Sequence, residues 1–178
     1  VNQSFIGSLP MSEFITMITD SDGNLQKTLF EDNVRHFQGV NKVNKEIEET
    51  LKGKEQDALP IFNNGITIIT KKLEQIGNNL KLTDFQIVNG CQSAHIFFKN
   101  KDIINKNTNI IVKIIETTSQ SLINKIIKAT NKQTLVTDEA FESLSTFHRD
   151  LEEYYYAKSK NIINPIFYER RSKQYDDN

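Results

Sequence analysis

The spacing of hydrophobic residues alternates along the chain between the two-residue period of strands and the longer period of helices. Runs rich in β-branched, aromatic and other apolar residues predict strands, at 5–10, 66–70, 80–88, 110–117 and 162–168. Apolar residues on one helical face predict helices, at 11–19, 41–51, 92–98, from 119 to a polar break at 131–134, and at 138–158. Gly77-Asn78-Asn79 is a turn that joins two strands as a hairpin. The order of elements predicts an α+β fold: a mixed sheet with a central hairpin, flanked by helices.

A strand–turn–helix motif at 85–98 is the feature around which the rest of the chain is organised. An apolar run at 85–88 stops at Asn89-Gly90, and a new apolar pattern begins after Ser93. Asn and Gly tolerate the positive φ of a tight turn, and Ser93 is predicted to cap the helix. The first backbone N–H groups of such a helix, together with its dipole, suit an anion. An ordinary turn without a ligand is the alternative.

Composition is typical of a soluble globular protein. Of the 178 residues, 37% are hydrophobic and 25% are charged, and no apolar run is long enough to span a bilayer. The single cysteine excludes an internal disulfide and a cysteine-based zinc cluster. No signal-peptide pattern opens the chain, so a cytoplasmic location without membrane association is predicted. The length favours one domain over 1–178, whole or as a fragment of a longer protein, with a small N-terminal lobe at 1–28 as the alternative.

The net charge and the catalytic side chains limit the classes of function that the chain can have. A formal net charge of −1 differs from the broad basic field of proteins that hold nucleic acid by charge, so nucleic acid would need a local site. Of the three histidines, His36 is the best candidate for a general base, because it follows Arg35 in a loop with hydrophobic anchors. The carboxylates are not clustered as metal-dependent nucleases require. No cofactor is predicted, and both a divalent metal and enzymatic activity are left open.

Amide and guanidinium side chains recur where the predicted strands and helices end. If these ends converge, they form a polar pocket in which a guanidinium clamps a phosphate through two hydrogen bonds. The alternative is that each Asn is a turn residue and each Arg a solvated charge. The candidate ligand-binding residues are Asn33, Arg35, Asn63, Asn64, Asn89, Gly90, Gln92, Ser93, Asn131, Gln133, Arg170 and Arg171.

The order of several short motifs resembles the AIPR family, the abortive infection phage resistance proteins of bacteria and archaea. The motifs lie at 30–39, 44–50, 62–68, 86–93, 112–114, 129–133 and 168–171. One departure is Ser93, where we expect Thr from the family pattern; the hydroxyl is retained. A looser similarity is to ParB-like domains, in which a strand ends in a Gly-centred polar motif that opens a helix at a phosphate site. Their arginine is absent from 89–93, so Arg35 or Arg170 would have to supply the charge.

The AIPR resemblance implies a role in bacterial defence against phage, usually as one domain of a longer protein or beside a partner from the same defence system. Three hypotheses for the chemistry follow. The first is binding of nucleic acid or a nucleotide in the polar pocket. The second is cleavage of that ligand by a nuclease or nucleotide hydrolase with His36 as base. The third is an interaction scaffold, in which the polar motifs fasten loops together.

Overall fold

One mixed sheet of four strands organises the part of the chain that the structure describes. The structure is a computed structural model that describes residues 3–31, 42–131, 145–160 and 164–170. The strands are β1 (Ser4–Pro10), β2 (Ile66–Ile76), β3 (Asn79–Asn89) and β4 (Asn109–Glu116), in the spatial order β1-β4-β2-β3. β2 runs parallel to β4, whereas the β1–β4 and β2–β3 pairs are antiparallel. The predicted α+β class and mixed sheet are confirmed, and β3 of the hairpin lies at one edge of these four strands.

Six helices accompany the sheet in the described residues. They are α1 (Met11–Met17), α2 (Lys42–Lys52), α3 (Leu59–Phe62), α4 (Cys91–Lys99), α5 (Gln120–Asn131) and α6 (Thr146–Ser159). Short 3-10 turns lie at Lys27–Phe30, Gln56–Ala58 and Lys101–Ile103. Within the described residues, no helix combines the length and the apolar character needed to cross a membrane.

The main core lies on the sheet face that α1, α2 and α4 cover. Phe14 of α1 and Phe97 of α4 are completely buried there and meet edge to face, with ring centroids 6.4 Å apart. Ile68 of β2 points into this core, and its neighbour Ile69 points to the other face, as strand geometry requires. β1 pairs with β4 and α1 contributes to the main core, so residues 4–17 share the sheet and the core of the rest of the described chain.

A smaller cluster lies on the opposite sheet face, beneath α5. Ile127 of α5 packs there with Ile69 and Val88. The hydroxyl oxygen of Ser119, just before α5, accepts a hydrogen bond from the backbone N–H of Leu122 at 3.4 Å, as the side chain of a helix cap does. Helices therefore flank both faces of the sheet, and the hairpin strands contribute side chains to both cores.

Two sequence-based predictions differ from the structure. The strand predicted at 162–168 is wrong for residues 164–168, which form irregular chain rather than a strand. Ile166 and Phe167 are both exposed, so the run lacks the alternation of buried and exposed residues on which a half-buried strand depends. The prediction that Ser93 caps α4 is also wrong, because Gly90 occupies that position and Ser93 lies inside the first turn.

Candidate functional site

The turn between β3 and α4 has the geometry that the strand–turn–helix motif predicts. β3 ends at Asn89 and α4 begins at Cys91, with Gly90 between them in the left-handed region at φ +96° and ψ 16°. A Cβ atom on Gly90 would also collide with Cδ1 of Ile66, which is buried in the main core. The backbone conformation therefore favours glycine here, and a larger residue would also have to displace the Ile66 side chain.

A β-bulge precedes this turn. Thr67 and Ile68 of β2 pair with Asn89 and Ile87 of β3, so that Val88 is the extra residue on β3. Such bulges redirect the residues that follow them and are common beside functional sites. Here the bulge sets the direction in which the chain enters the first turn of α4.

The loop before β2 is fastened to that first turn. The carboxamide oxygen of Asn63 accepts a hydrogen bond from the Gly65 backbone N–H at 2.9 Å. The amide nitrogen of the same Asn63 side chain donates to Oγ of Ser93 at 3.1 Å. Both polar atoms of Asn63 are thus engaged, one within its own loop and one across to α4. Asn64, the next residue, is exposed to solvent.

Two further elements reach the same turn. Nδ2 of Asn44, near the start of α2, donates to Oε1 of Gln92 at 3.0 Å. Nδ2 of Asn89 donates to the backbone carbonyl of Thr130, near the end of α5, at 3.0 Å. The carbonyls at a helix C-terminus lack helical donors, so this amide satisfies one of them.

These contacts define a polar group that we call the α4 cluster: Asn44, Asn63, Asn89, Gln92 and Ser93. Asn44 and Ser93 are buried, while the other three are half-buried and border solvent. The cluster adjoins the N-terminal end of α4. The backbone N–H groups of the first turn lack helical acceptors there, and the helix dipole has its positive end there. An amide-rich rim beside a helix N-terminus can hydrogen-bond an anion and the polar edge of a base.

Comparison with known families identifies the chain. The family model described as "AIPR protein" matches residues 30–178. The chain belongs to the AIPR family. No curated protein and no solved structure matches it. AIPR proteins are abortive infection phage resistance proteins, and membership therefore indicates an anti-phage defence domain. The matched residues include the whole α4 cluster, whereas β1 and α1 precede them.

Several of the residues predicted to bind the ligand fall outside the described part of the chain: Asn33, Arg35, Gln133, Arg171 and the side chain of Asn131. His36, the candidate general base, lies outside it as well. The described residues on either side of 32–41 both contact α4. The ring of Phe30 lies 5.3 Å from that of His95, centroid to centroid, and Asn44 bonds Gln92.

Arg170 has a different environment from the α4 cluster. Its Nε donates to Oε2 of Glu152 on α6 at 2.7 Å, and its side chain is only 3% exposed. The Glu152 side chain is 21% exposed, so the ion pair is half-buried, and Glu152 compensates the charge of the buried guanidinium. This contact of Arg170 is with α6, and ligand binding by Arg170 stays a prediction.

Sequence reasoning missed Asn44 of the α4 cluster and a Cys91–His95 contact beside it. Asn44 lies on the polar part of a predicted helix, and no local signal relates it to Gln92, 48 residues later. Cys91 and His95 also form a pair one helical turn apart, with 3.6 Å from Sγ to Nδ1. Nδ1 of His95 is 2.9 Å from the Cys91 carbonyl oxygen as well. The four-residue spacing was a readable signal, because such residues are neighbours on a helix.

An open groove of about 460 Å³ lies along the end of α2 and is lined by Glu46, Glu49 and Glu55, none of which belongs to the α4 cluster. A hydrogen bond from the Lys52 ammonium lowers the pKa of the neighbouring Glu48 carboxyl. In the described ranges, His, Cys, Asp and Glu form no group of three or more that could hold a metal ion.

Proposed function

We propose that this AIPR domain binds a phosphate-bearing ligand, either nucleic acid or a nucleotide, at the α4 cluster. The observation that carries the proposal is convergence. Side chains from the start of α2, the loop before β2, the end of β3 and the first turn of α4 meet around one helix N-terminus. These positions are 30 and 48 residues apart in the two side-chain pairs, so the fold alone brings them together.

The chemistry of the cluster suits phosphate and base together. A phosphate at the N-terminus of α4 would accept hydrogen bonds from backbone N–H groups and interact favourably with the helix dipole. Gln92, half-buried at that end, would bond a phosphate oxygen or a base edge through its amide. Because the chain has a net charge of −1, affinity depends on such local contacts rather than on a broad basic field.

Arg35 would supply the positive charge that the turn itself lacks. The support is chain connectivity, since the described residues before and after its segment both contact α4. A guanidinium can bind phosphate through two parallel hydrogen bonds, which adds direction as well as charge.

Gln92→Ala is expected to weaken ligand binding about tenfold, because a hydrogen bond to a charged group contributes roughly 1.5–3 kcal/mol. Thermal shift with nucleotides, short DNA and short RNA first finds the ligand. At one hundred times the dissociation constant, the wild-type chain should gain about 2.7 kcal/mol, or roughly 5–10 °C in melting temperature. Titration of the ligand found then gives the dissociation constants of the variants.

Gln75→Ala is the matched control, because Gln75 is an exposed amide on β2 near the hairpin turn. It should leave the affinity unchanged. Arg35→Ala should weaken binding and lower the slope of log affinity against log salt by about one. If Gln92→Ala and Arg35→Ala both bind as wild type, the ligand site lies elsewhere. If wild-type protein also hydrolyses the ligand, His36→Ala separates a nuclease or nucleotide hydrolase from a binding module.

A scaffold role is the second candidate, and the contacts of Asn63 favour it. Both polar atoms of its side chain are hydrogen-bonded within the protein, which is what fastening of loops requires. Asn63→Ala is then expected to lower the free energy of unfolding by about 1–2 kcal/mol. Asn124→Ala, at an exposed amide of α5, should cost little or nothing because alanine favours helix. A stability loss at Asn63 with unchanged ligand affinity would assign this residue to fastening alone.

A further inference from the structure

Helix α6 presents an aromatic face to solvent. None of its 14 residues is fully buried, and Phe147 and Tyr154 are 68% and 57% exposed. Helices of this length are marginal alone in water and gain most of their stability by burying an apolar face. An exposed aromatic face on such a helix therefore indicates a surface that a partner covers.

The opposite side of α6 already has a partner within the chain. The rings of His148 and Tyr155 stack on Tyr168, with centroids 5.9 and 6.2 Å away, and Glu152 binds Arg170. Residues 164–170 thus lie along one side of the helix. The exposed side contains residues at spacings of three and four, which we call the Tyr154 face: Phe147, Asp150, Tyr154 and Lys158.

The charges of the Tyr154 face are arranged symmetrically. Asp150 precedes Tyr154 by four residues and Lys158 follows it by four, so the acid and the base lie one helical turn on either side of the ring. Asp150 and Lys158 are both exposed, and the Lys158 ammonium lies 5.7 Å from the centre of the Tyr154 ring. A two-fold axis through Tyr154 would place Asp150 of one helix opposite Lys158 of the other, twice.

We infer that the Tyr154 face pairs with the same face of a second copy of this chain, with the two α6 helices antiparallel. A two-fold interface is self-complementary, and a face with acid and base on opposite sides of an aromatic centre meets that requirement. The two Tyr154 rings would lie at the axis and bury each other, while the two Asp150–Lys158 pairs fix the direction and register of the helices.

A nucleic-acid partner fits this surface less well. Residues 145–160 and 164–170 contain four basic and four acidic side chains, which leaves no net attraction for phosphate. Asp150 and Glu153 are exposed beside the aromatic side chains that would have to stack on bases. The balance of charge that disfavours a polyanion is what an antiparallel copy of the same helix requires.

Sedimentation velocity of the full chain at low salt tests the pairing. Wild-type protein should sediment with twice the monomer mass, and rising salt should favour the monomer. Asp150→Lys makes the face wholly basic and Lys158→Glu makes it wholly acidic, so each variant alone should lose the dimer. An equimolar mixture of the two should regain the doubled mass, because each basic face then meets an acidic one. Recovery on mixing cannot arise if either variant is simply unfolded.

Lys160→Glu is the matched control, since it makes the same charge change at the residue that follows α6, away from the Tyr154 face. It should keep the dimer. A wild-type chain that stays monomeric at low salt, or dimers that survive both charge changes, would overturn the inference. Binding of a labelled oligothymidine tests the alternative, that the Tyr154 face binds nucleic acid. If the chain is monomeric and Tyr154→Ala abolishes its binding to that probe, the face binds nucleic acid instead of a second copy.

Discussion

Gly65→Ala is expected to lower the free energy of unfolding by about 3 kcal/mol, because two unfavourable effects add at this position. Gly65 has φ +76°, a conformation that costs a residue with a side chain about 1–2 kcal/mol. A Cβ atom here would also lie 2.5 Å from the backbone oxygen of Ile111 in β4. That oxygen belongs to a strand held between two neighbours, so it cannot move aside without disturbing the sheet.

Gly77→Ala separates the two effects. Gly77 also has a positive φ, +61°, but a Cβ atom there would meet no atom within 4 Å. It should therefore lose only the conformational part, about 1 kcal/mol. Urea unfolding of the two variants measures both losses, with equal slopes as evidence that the unfolded states are comparable. Equal losses for Gly65→Ala and Gly77→Ala would contradict the close approach of β2 to β4.

The close approach at Gly65 also positions the α4 cluster. Gly65 ends the loop whose Asn63 reaches Ser93, so displacement of β2 from β4 would shift the end of this loop relative to α4. Gly65→Ala should then weaken any ligand held at the first turn of α4 together with stability. Gly77→Ala, at the far end of the hairpin, should leave binding unchanged.

The local parts of the fold could be predicted because their signals are local. The β-branched run that opens β2, the turn at Gly77 and the Asn89-Gly90 break each specify a strand or a turn within a few residues. The hairpin and the start of α4 followed from these signals. The predicted strand stopped at residue 70, whereas β2 extends to Ile76. Its second half carries charged side chains that are exposed to solvent, so it lacks the apolar run of the first half.

The contacts that build the site could not be predicted in the same way. Asn44 and Gln92 meet only because α2 and α4 pack on the same face of the sheet, and periodicity does not state which two helices become neighbours. Ser93 satisfied the composition rule for a helix cap, but α4 begins at Cys91, directly after the left-handed residue Gly90, so Ser93 lies inside the first turn. The run at 164–168 had aromatic residues typical of a strand, but the Tyr168 ring stacks against α6 instead.

Gln56→Leu is expected to lower the free energy of unfolding by about 3 kcal/mol, although the two side chains are similar in size. Gln56 is 5% exposed and makes four hydrogen bonds. Its amide nitrogen donates to the carbonyl of Leu51 and, at 3.0 Å, to that of Ile103. Its oxygen accepts from the Asn105 backbone N–H at 2.8 Å and from the Thr108 hydroxyl at 3.1 Å.

The magnitude depends on which of these partners can reach water. Ile103 and Asn105 lie at the exposed surface, so their backbone groups can hydrate once Gln56 is replaced. Leu51 and Thr108 are 0% and 1% exposed, and their oxygen atoms would stay buried without this donor or acceptor. A buried polar group that loses its partner costs roughly 1–3 kcal/mol, and two such groups account for the expected loss.

Gln75→Leu is the control, since it makes the same change at an exposed glutamine. The side-chain amide of Gln75 donates a hydrogen bond to the nearby Gly77 carbonyl, which is itself at the hairpin turn. Its effect should stay within about 0.5 kcal/mol. Gln56→Glu adds a test of direction, because the introduced carboxylate would face two carbonyl oxygens and be stable there only when protonated. Its stability relative to wild type should therefore rise as pH falls, the sign expected for a carboxyl whose pKa is higher folded than unfolded. Urea midpoints across acidic pH measure this, and a pH-independent deficit would mean that the glutamine contributes by packing rather than by hydrogen bonding.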